Sequence, residues 1–213
     1  MLVLGLDTST PAVSVALVET DDARVLAEHV VVDARRHGEL LAIGIERTLA
    51  DAGVHRRDLG AVAVGLGPGP FTGLRVGIVT AASLGDALGI PAYGACSLDG
   101  LGEGARLAVT DARRREVYWA RYDDDGRVDG PYVCLPVELA ERAEAWPDLP
   151  LVGDGAFVHV AAFDGRALPD QPRYPSAARL AVLAGHAPVT ALTPMYLRRP
   201  DAQIPGAAKA VTA

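Results

Sequence analysis

The chain has 213 residues, 50% of them hydrophobic, and its 20 basic and 27 acidic side chains leave a net charge of −7. That composition supports a packed core, in one domain or two small ones, and excludes a disordered chain. It also excludes a global attraction for nucleic acid, so contact with RNA or DNA has to be local or supplied by a partner. Cys96 and Cys134 fit no metal or redox motif and read as free thiols of a reducing compartment. The opening MLVLGLDTST lacks a basic n-region. No apolar run approaches the ~18 residues of a membrane span, so a cytoplasmic protein without membrane contact is expected.

In chain order, Leu2–Leu6 reads as a buried strand that ends in the polar turn Asp7-Thr8-Ser9-Thr10-Pro11. Val13–Val18 and Arg24–Val32 follow as strands, with Thr20-Asp21-Asp22 as the turn between them. Two antiparallel hairpins ahead of helices indicate a mixed α/β sheet. His37-Gly38 precedes a helix over Glu39–Ala52, where Leu41, Ile45, Leu49 and Ala52 form one core stripe. Leu40, Ile43 and Gly44 widen its apolar face, and Gly53 supplies the stop.

Ala61–Val64 is the next strand, and it runs into Gly65–Gly77, GLGPGPFTGLRVG. The glycines permit close backbone approach while Pro68 and Pro70 stiffen the loop. A helix over Leu74–Leu88 follows, so backbone amides at its start can face an anion. A tight strand-to-helix connection without ligand is the commoner use of such a loop. On that helix Gly77, Ala81 and Gly85 recur every four residues. Small residues on one line serve either packing on the chain's own sheet or close approach of a second helix. The two helices together carry more apolar and small surface than one sheet face needs, which marks a candidate protein–protein patch. We draw it over His37, Leu40, Ile43, Gly44, Arg47, Arg75, Gly77, Ala81 and Gly85.

Ala92–Ala95 is a short strand, and the glycine-rich Gly100–Gly104 marks a boundary. On this division residues 1–101 form an N-terminal lobe, 102–192 a smaller lobe and 193–213 a C-terminal segment. The second lobe reads as a hairpin of Leu107–Asp111 and Val117–Tyr122 around Ala112-Arg113-Arg114-Arg115-Glu116, then a strand over Val128–Leu135. A helix at Pro136–Ala145 and a strand at Leu149–Val152 follow, and Ala156–Phe163 is ambiguous. Ser176–His186 reads as a helix capped by Ser176. Thr193–Pro200 is expected to be ordered and the alanine-rich end past Pro205 disordered.

The five histidines show no metal-ligand spacing, and no G-x-S-x-G elbow occurs. What remains is Asp7-Thr8-Ser9 at the end of the first strand. Together with Gly67, Gly69, Thr72 and Gly73 it is the candidate phosphate contact, with Asp7 near a magnesium ion. A side-chain-capped turn is the alternative. The triplet Arg113–Arg115 can meet RNA phosphates, although an exposed hairpin tip is the commoner meaning.

LGLDTSTPAVSVAL, His37-Gly38-Glu39-Leu40-Leu41, GLGPGPFTGLRVGIVTAASL, Asp111-Ala112-Arg113 with Glu116-Val117-Tyr118, and Pro194-Met195-Tyr196-Leu197-Arg198 are together similar to the TsaB (YeaZ) family of tRNA threonylcarbamoyladenosine biosynthesis. The resemblance covers nearly the whole chain in order. It implies an actin-like ATPase fold, of the sugar kinase/Hsp70/actin type, with two ribonuclease-H-like lobes of mixed sheets and flanking helices. It implies a heterodimer with the catalytic paralogue TsaD, which the ATPase TsaE joins, and tRNA reached through the complex. An isolated copy would pair with a second copy. The paralogue's His-x-x-x-His metal motif has Ala95-Cys96-Ser97-Leu98-Asp99-Gly100-Leu101 in its place here. The resemblance therefore implies a non-catalytic, partner-activating scaffold with no catalytic residue, metal or intrinsic cofactor. ATP or ADP with Mg would enter only through the complex. An independent kinase or ATPase of the same fold is the competing reading, and a protease ranks below both.

Overall fold

The computed structural model describes residues 1–166, 169–186 and 189–198. Two mixed sheets form its core. The first is built from β1 (Leu2–Asp7), β2 (Ala12–Glu19), β3 (Arg24–Val32), β4 (Ala61–Gly65) and β5 (Ala92–Ala95), in the order β3-β2-β1-β4-β5. β1, β2 and β3 pair antiparallel as the two hairpins require, and β4 and β5 add parallel to β1. The parallel crossovers are supplied by α1 (His37–Asp51) and α2 (Phe71–Leu88).

Side-chain size explains the layering. Strand residues point alternately to the two faces. One face carries Leu4, Leu6, Val15, Leu17, Val62 and Val64 and is covered by α1 and α2. The other carries the small residues Ala16, Ala61 and Ala63 and is covered by α5 (Ala177–His186). That helix is alanine-rich and lies close enough that a Cβ on Gly5 would stand 2.1 Å from the Ala177 carbonyl oxygen. The sequence division assigned residues 177–186 to the second lobe, and the structure corrects this. Small-on-small packing draws α5 back onto the first sheet.

Both large helices stop as expected. Gly53 and Gly89 adopt φ of 65° and 67°, and the amides of Val54 and Ile90 close back on Leu49 and Gly85. Their starts lie earlier than the periodicity indicated, at His37 and Phe71 rather than Glu39 and Leu74.

The second sheet has the order β8-β7-β6-β9, from β6 (Arg106–Asp111), β7 (Val117–Tyr122), β8 (Arg127–Cys134) and β9 (Leu151–Val152). α3 (Pro136–Ala143) and α4 (Asp154–Val158) join Leu107, Val109, Trp119 and Phe163 in its core. The ambiguous 156–163 stretch thus opens in a short helix. A 3-10 turn at Ser97–Gly100 links the sheets: Asp99 accepts hydrogen bonds from the Tyr122 hydroxyl (2.7 Å) and Arg127 Nε (3.1 Å), and Arg179 Nε donates to its carbonyl (2.9 Å).

After α5 the chain crosses both units. The Gly94 amide donates to the Val189 carbonyl and the Met195 amide to the Leu66 carbonyl, each at 2.8 Å. Tyr196 stacks on Phe71 with ring centroids 5.0 Å apart, and Arg198 Nη1 donates to the Ala112 carbonyl at 2.8 Å. The expected disorder past Pro205 falls outside the described residues.

Candidate functional site

Asp7, Thr8 and Ser9 meet the glycine loop, as the sequence suggested, but with their polar atoms engaged by it. Asp7 is 1% exposed. Its Oδ1 accepts from the Ser9 amide (2.9 Å) and the Ser9 hydroxyl (2.7 Å). Its Oδ2 accepts from the Ser97 hydroxyl at 2.6 Å, and Ser97 Oγ in turn accepts from the Gly67 amide at 3.0 Å. Burial pushes the Asp7 carboxyl above its ordinary range, against the lowering effect of these hydrogen bonds. The Thr8 hydroxyl donates to the Gly73 carbonyl (2.8 Å) and accepts from the Gly77 amide (3.1 Å), two groups one turn apart on α2.

The β1–β2 turn therefore fills the concavity of the loop. A Cβ on Gly65 would stand 1.9 Å from Asp7 Oδ2, and one on Gly69 would stand 2.3 Å from the Ser9 carbonyl oxygen. This arrangement does not fit a magnesium–phosphate cradle built on Asp7, Ser9, Gly67 and Gly69. Its oxygens and amides already satisfy one another, which is the capped-turn alternative. Open space begins beside it. A cleft of about 170 Å³ is lined by Thr8, Thr10, Arg35, His37, Thr72, Gly73 and Arg113, between the first turns of α1 and α2 and the tip of the β6–β7 hairpin. Of the candidate phosphate contacts in the loop, Thr72 and Gly73 line this cleft, beside Pro70 and Val76. His37 Nε2 donates to the Thr10 carbonyl at 2.8 Å, which holds the ring at the cleft wall.

The proposed docking face divides in two. Gly77, Ala81 and Gly85 are buried, with Gly77 against Thr8 and Val64, and Gly85 against Ile90 and Ala92. Gly44 is buried against Val15 and His29. These four residues are corrected from partner contacts to contacts with the chain's own sheet. The large side chains on that sheet face leave room only for small residues on the helices above. Of the rest, Leu40 and His37 are half-buried, whereas Ile43, Arg47 and Arg75 are exposed. Phe71 and Val79 join them, and with Ile43 they put apolar side chains on the outer face of α1 and α2 at 42, 61 and 37% exposure.

A second polar group lies at the base of the β6–β7 hairpin, behind Arg113. Asp111 Oδ1 accepts from His159 Nε2 and from the Arg113 amide, each at 3.2 Å. Asp154 Oδ1 accepts from the Asp111 amide at 3.2 Å, and burial pushes the Asp154 carboxyl up to about 6. Among the described residues no cluster of three or more His, Cys, Asp or Glu is placed to hold a metal ion, and no helix is long and apolar enough to cross a membrane.

Sequence reasoning missed Ser97 as the link between Asp7 and Gly67. A lone hydroxyl after a short strand gives no signal of its own until β1 and β5 are both aligned on β4. It also missed the His159–Asp111 contact, which spans 48 positions.

Comparison with known proteins agrees with this architecture. The family model of TsaD, tRNA N6-adenosine threonylcarbamoyltransferase, matches residues 24–140. The tRNA threonylcarbamoyladenosine biosynthesis protein TsaB of Escherichia coli is 35% identical over 176 residues, covering 70% of this chain and 75% of its own. TsaB of Bacillus subtilis is 29% identical over 223 residues, covering 95% and 96%. The solved structure of YeaZ from Pseudomonas aeruginosa superposes with a TM-score of 0.74 at 31% identity, over 92% of this chain and 99% of that one. An activator of 2-hydroxyisocaproyl-CoA dehydratase from Clostridium difficile, with bound ADPNP, shares the fold alone: TM-score 0.54 at 12% identity, over 86% and 94% of the two chains. The fold is thus of the actin-like ATPase type. Matched along most of its length by TsaB at more than 30% identity, the chain belongs to the TsaB (YeaZ) family.

Proposed function

We propose that this chain serves the formation of N6-threonylcarbamoyladenosine in tRNA as a non-catalytic subunit, docking the outer face of α1 and α2 onto a TsaD-type transferase. The observation that carries this reading is the pair Ile43 and Val79, 37 and 61% exposed on neighbouring helices whose other faces are sealed against the sheet. At those exposures, burying what remains of each side chain gains about 0.5–2 kcal/mol. A partner surface supplies that burial and a lone monomer does not.

The inner polar cluster supports the non-catalytic half of the reading. Asp7, Thr8, Ser9 and Ser97 are engaged in holding the glycine loop on α2, so they serve shape rather than bond-making. In this account ATP or ADP with Mg acts at the level of the assembled complex, where TsaE joins, and tRNA is reached through the partner. In isolation the same face accepts a second copy. Light scattering on a mixture with the TsaD-type partner tests the reading: a one-to-one heterodimer is expected. Two non-interacting species, with tight nucleotide binding and turnover by this chain alone, would favour the kinase or ATPase reading.

A further inference from the structure

Arg113, Arg114 and Arg115 have φ of 61°, 53° and 63°, three successive non-glycine residues in the left-handed region. Side chains with a Cβ adopt that conformation only when their surroundings impose it. The hairpin closes on itself, the Ala112 amide donating to the Glu116 carbonyl (2.9 Å) and the Glu116 amide to the Arg113 carbonyl (3.0 Å), and it is braced on two sides by residues from elsewhere in the chain. On one side Asp111 Oδ1 accepts the Arg113 amide, and His159, at the end of α4, donates Nε2 to the same oxygen. On the other side Arg198 donates to the Ala112 carbonyl and pairs with Glu116, closing over the turn from the far end of the chain. Arg198 is fixed in turn by the strap before it, through Met195 on Leu66 and Tyr196 on Phe71. The turn so held sets Arg113 in the wall of the cleft, across from His37 and Thr72.

We propose that His159 and Arg198 are positioning residues that jointly brace the left-handed arginine turn, so that Arg113, with its guanidinium 3.9 Å from the Asp111 carboxylate, faces the cleft as a preformed cation in an otherwise acidic molecule. His159 works through the Asp111 carboxylate and Arg198 through the Ala112 carbonyl. Neither needs to touch a ligand. A cation held in place before binding loses little side-chain freedom when an anionic group arrives, which is the use such an arrangement has.

Trypsin reports the turn directly, because all three residues are cleavage sites in an exposed hairpin tip. In the full-length chain, cleavage after residues 113–115, followed by mass spectrometry, should quicken about tenfold in His159→Ala and in Arg198→Ala, as local opening of the turn becomes easier. His159→Gln should restore the parental rate, since its amide can donate to the same oxygen. Equal cleavage in parent and both alanine variants, or no difference between His159→Gln and His159→Ala, would overturn the proposal. A second readout rests on the docking reading: synthesis of the modified nucleoside by the reconstituted complex. Arg113→Gln and His159→Ala should each lower the rate about tenfold, and the double variant should be no worse than Arg113→Gln alone. Additive losses would refute action through Arg113. Partner association should be parental in all three variants, which separates failure of this inference from failure of docking.

Discussion

Val79→Arg isolates the docking face from the fold. Val79 is 61% exposed on the outer side of α2, one residue past the buried Ile78 and two before Ala81, which is fully buried. A surface change of this kind shifts stability by no more than about 0.5 kcal/mol. At a sealed interface the same guanidinium is an unpaired buried charge. Such a charge costs about 3–5 kcal/mol, or roughly two to three and a half powers of ten in Kd. Ala81→Arg puts the same cation under the helix, in the core with Leu6 and Val64. There the cost falls on folding, which a domain stabilised by about 5–15 kcal/mol barely survives. The assay pairs a thermal melt with calorimetric titration of the TsaD-type partner. Val79→Arg should melt with the parent and bind at least a hundredfold more weakly. Ala81→Arg should be destabilised by about 3–5 kcal/mol and melt well below the parent. Parental affinity in a folded Val79→Arg, repeated in Ile43→Arg, would refute the placement of the interface.

Three further outcomes follow, two from the inner cluster and one from the second polar group. Asp7→Ala deserts the buried Ser9 amide and Ser97 hydroxyl. At about 1–3 kcal/mol per unsatisfied group, it should lower stability by roughly 2–6 kcal/mol in denaturant unfolding, with complex activity lost only as far as the fold is lost. Undiminished stability with abolished nucleotide binding would return Asp7 to a ligand role. Gly65→Ala should be poorly folded on expression, because its methyl group would overlap the Asp7 carboxylate. A normal melting temperature would contradict that packing. Asp154 titrates near 6 when folded against 3.8 for the free group. Its ionised form is therefore disfavoured in the fold, and its contribution to stability falls as pH rises from about 4 to 6. Asp154→Asn keeps the acceptor for the Asp111 amide and removes that cost. It should be more stable than the parent by up to about 3 kcal/mol at pH 8 and by about half that at pH 5. An advantage that does not shrink on acidification would contradict the assignment.

The strands, the two hairpins and the helix ends were legible because hairpins, glycine stops and apolar runs are local signals. Gly53 and Gly89 ended their helices where the sequence put them. The small-residue stripe was visible too, but not its direction. That depends on what faces it, and the large side chains of Leu4, Leu6 and Val64 on that side of the sheet decide it. The alternation of large with small residues along β1, β2 and β4 carried the information needed to place α5, and it was overlooked. Contacts between distant segments left no trace in sequence: Ser97 with Asp7, His159 with Asp111, Arg198 with Ala112. Each becomes a pair only after the elements that carry the two residues have packed together.

The account's central claim is that this chain enables a partner's chemistry and performs none itself. Formation of N6-threonylcarbamoyladenosine should be measured on one tRNA with the purified chain alone, with the TsaD-type partner and TsaE alone, and with all three. The modified nucleoside should appear only in the third reaction, and it should vanish there when Val79→Arg replaces the parent. Product in the first reaction, or equal product in the second and third, would contradict the claim.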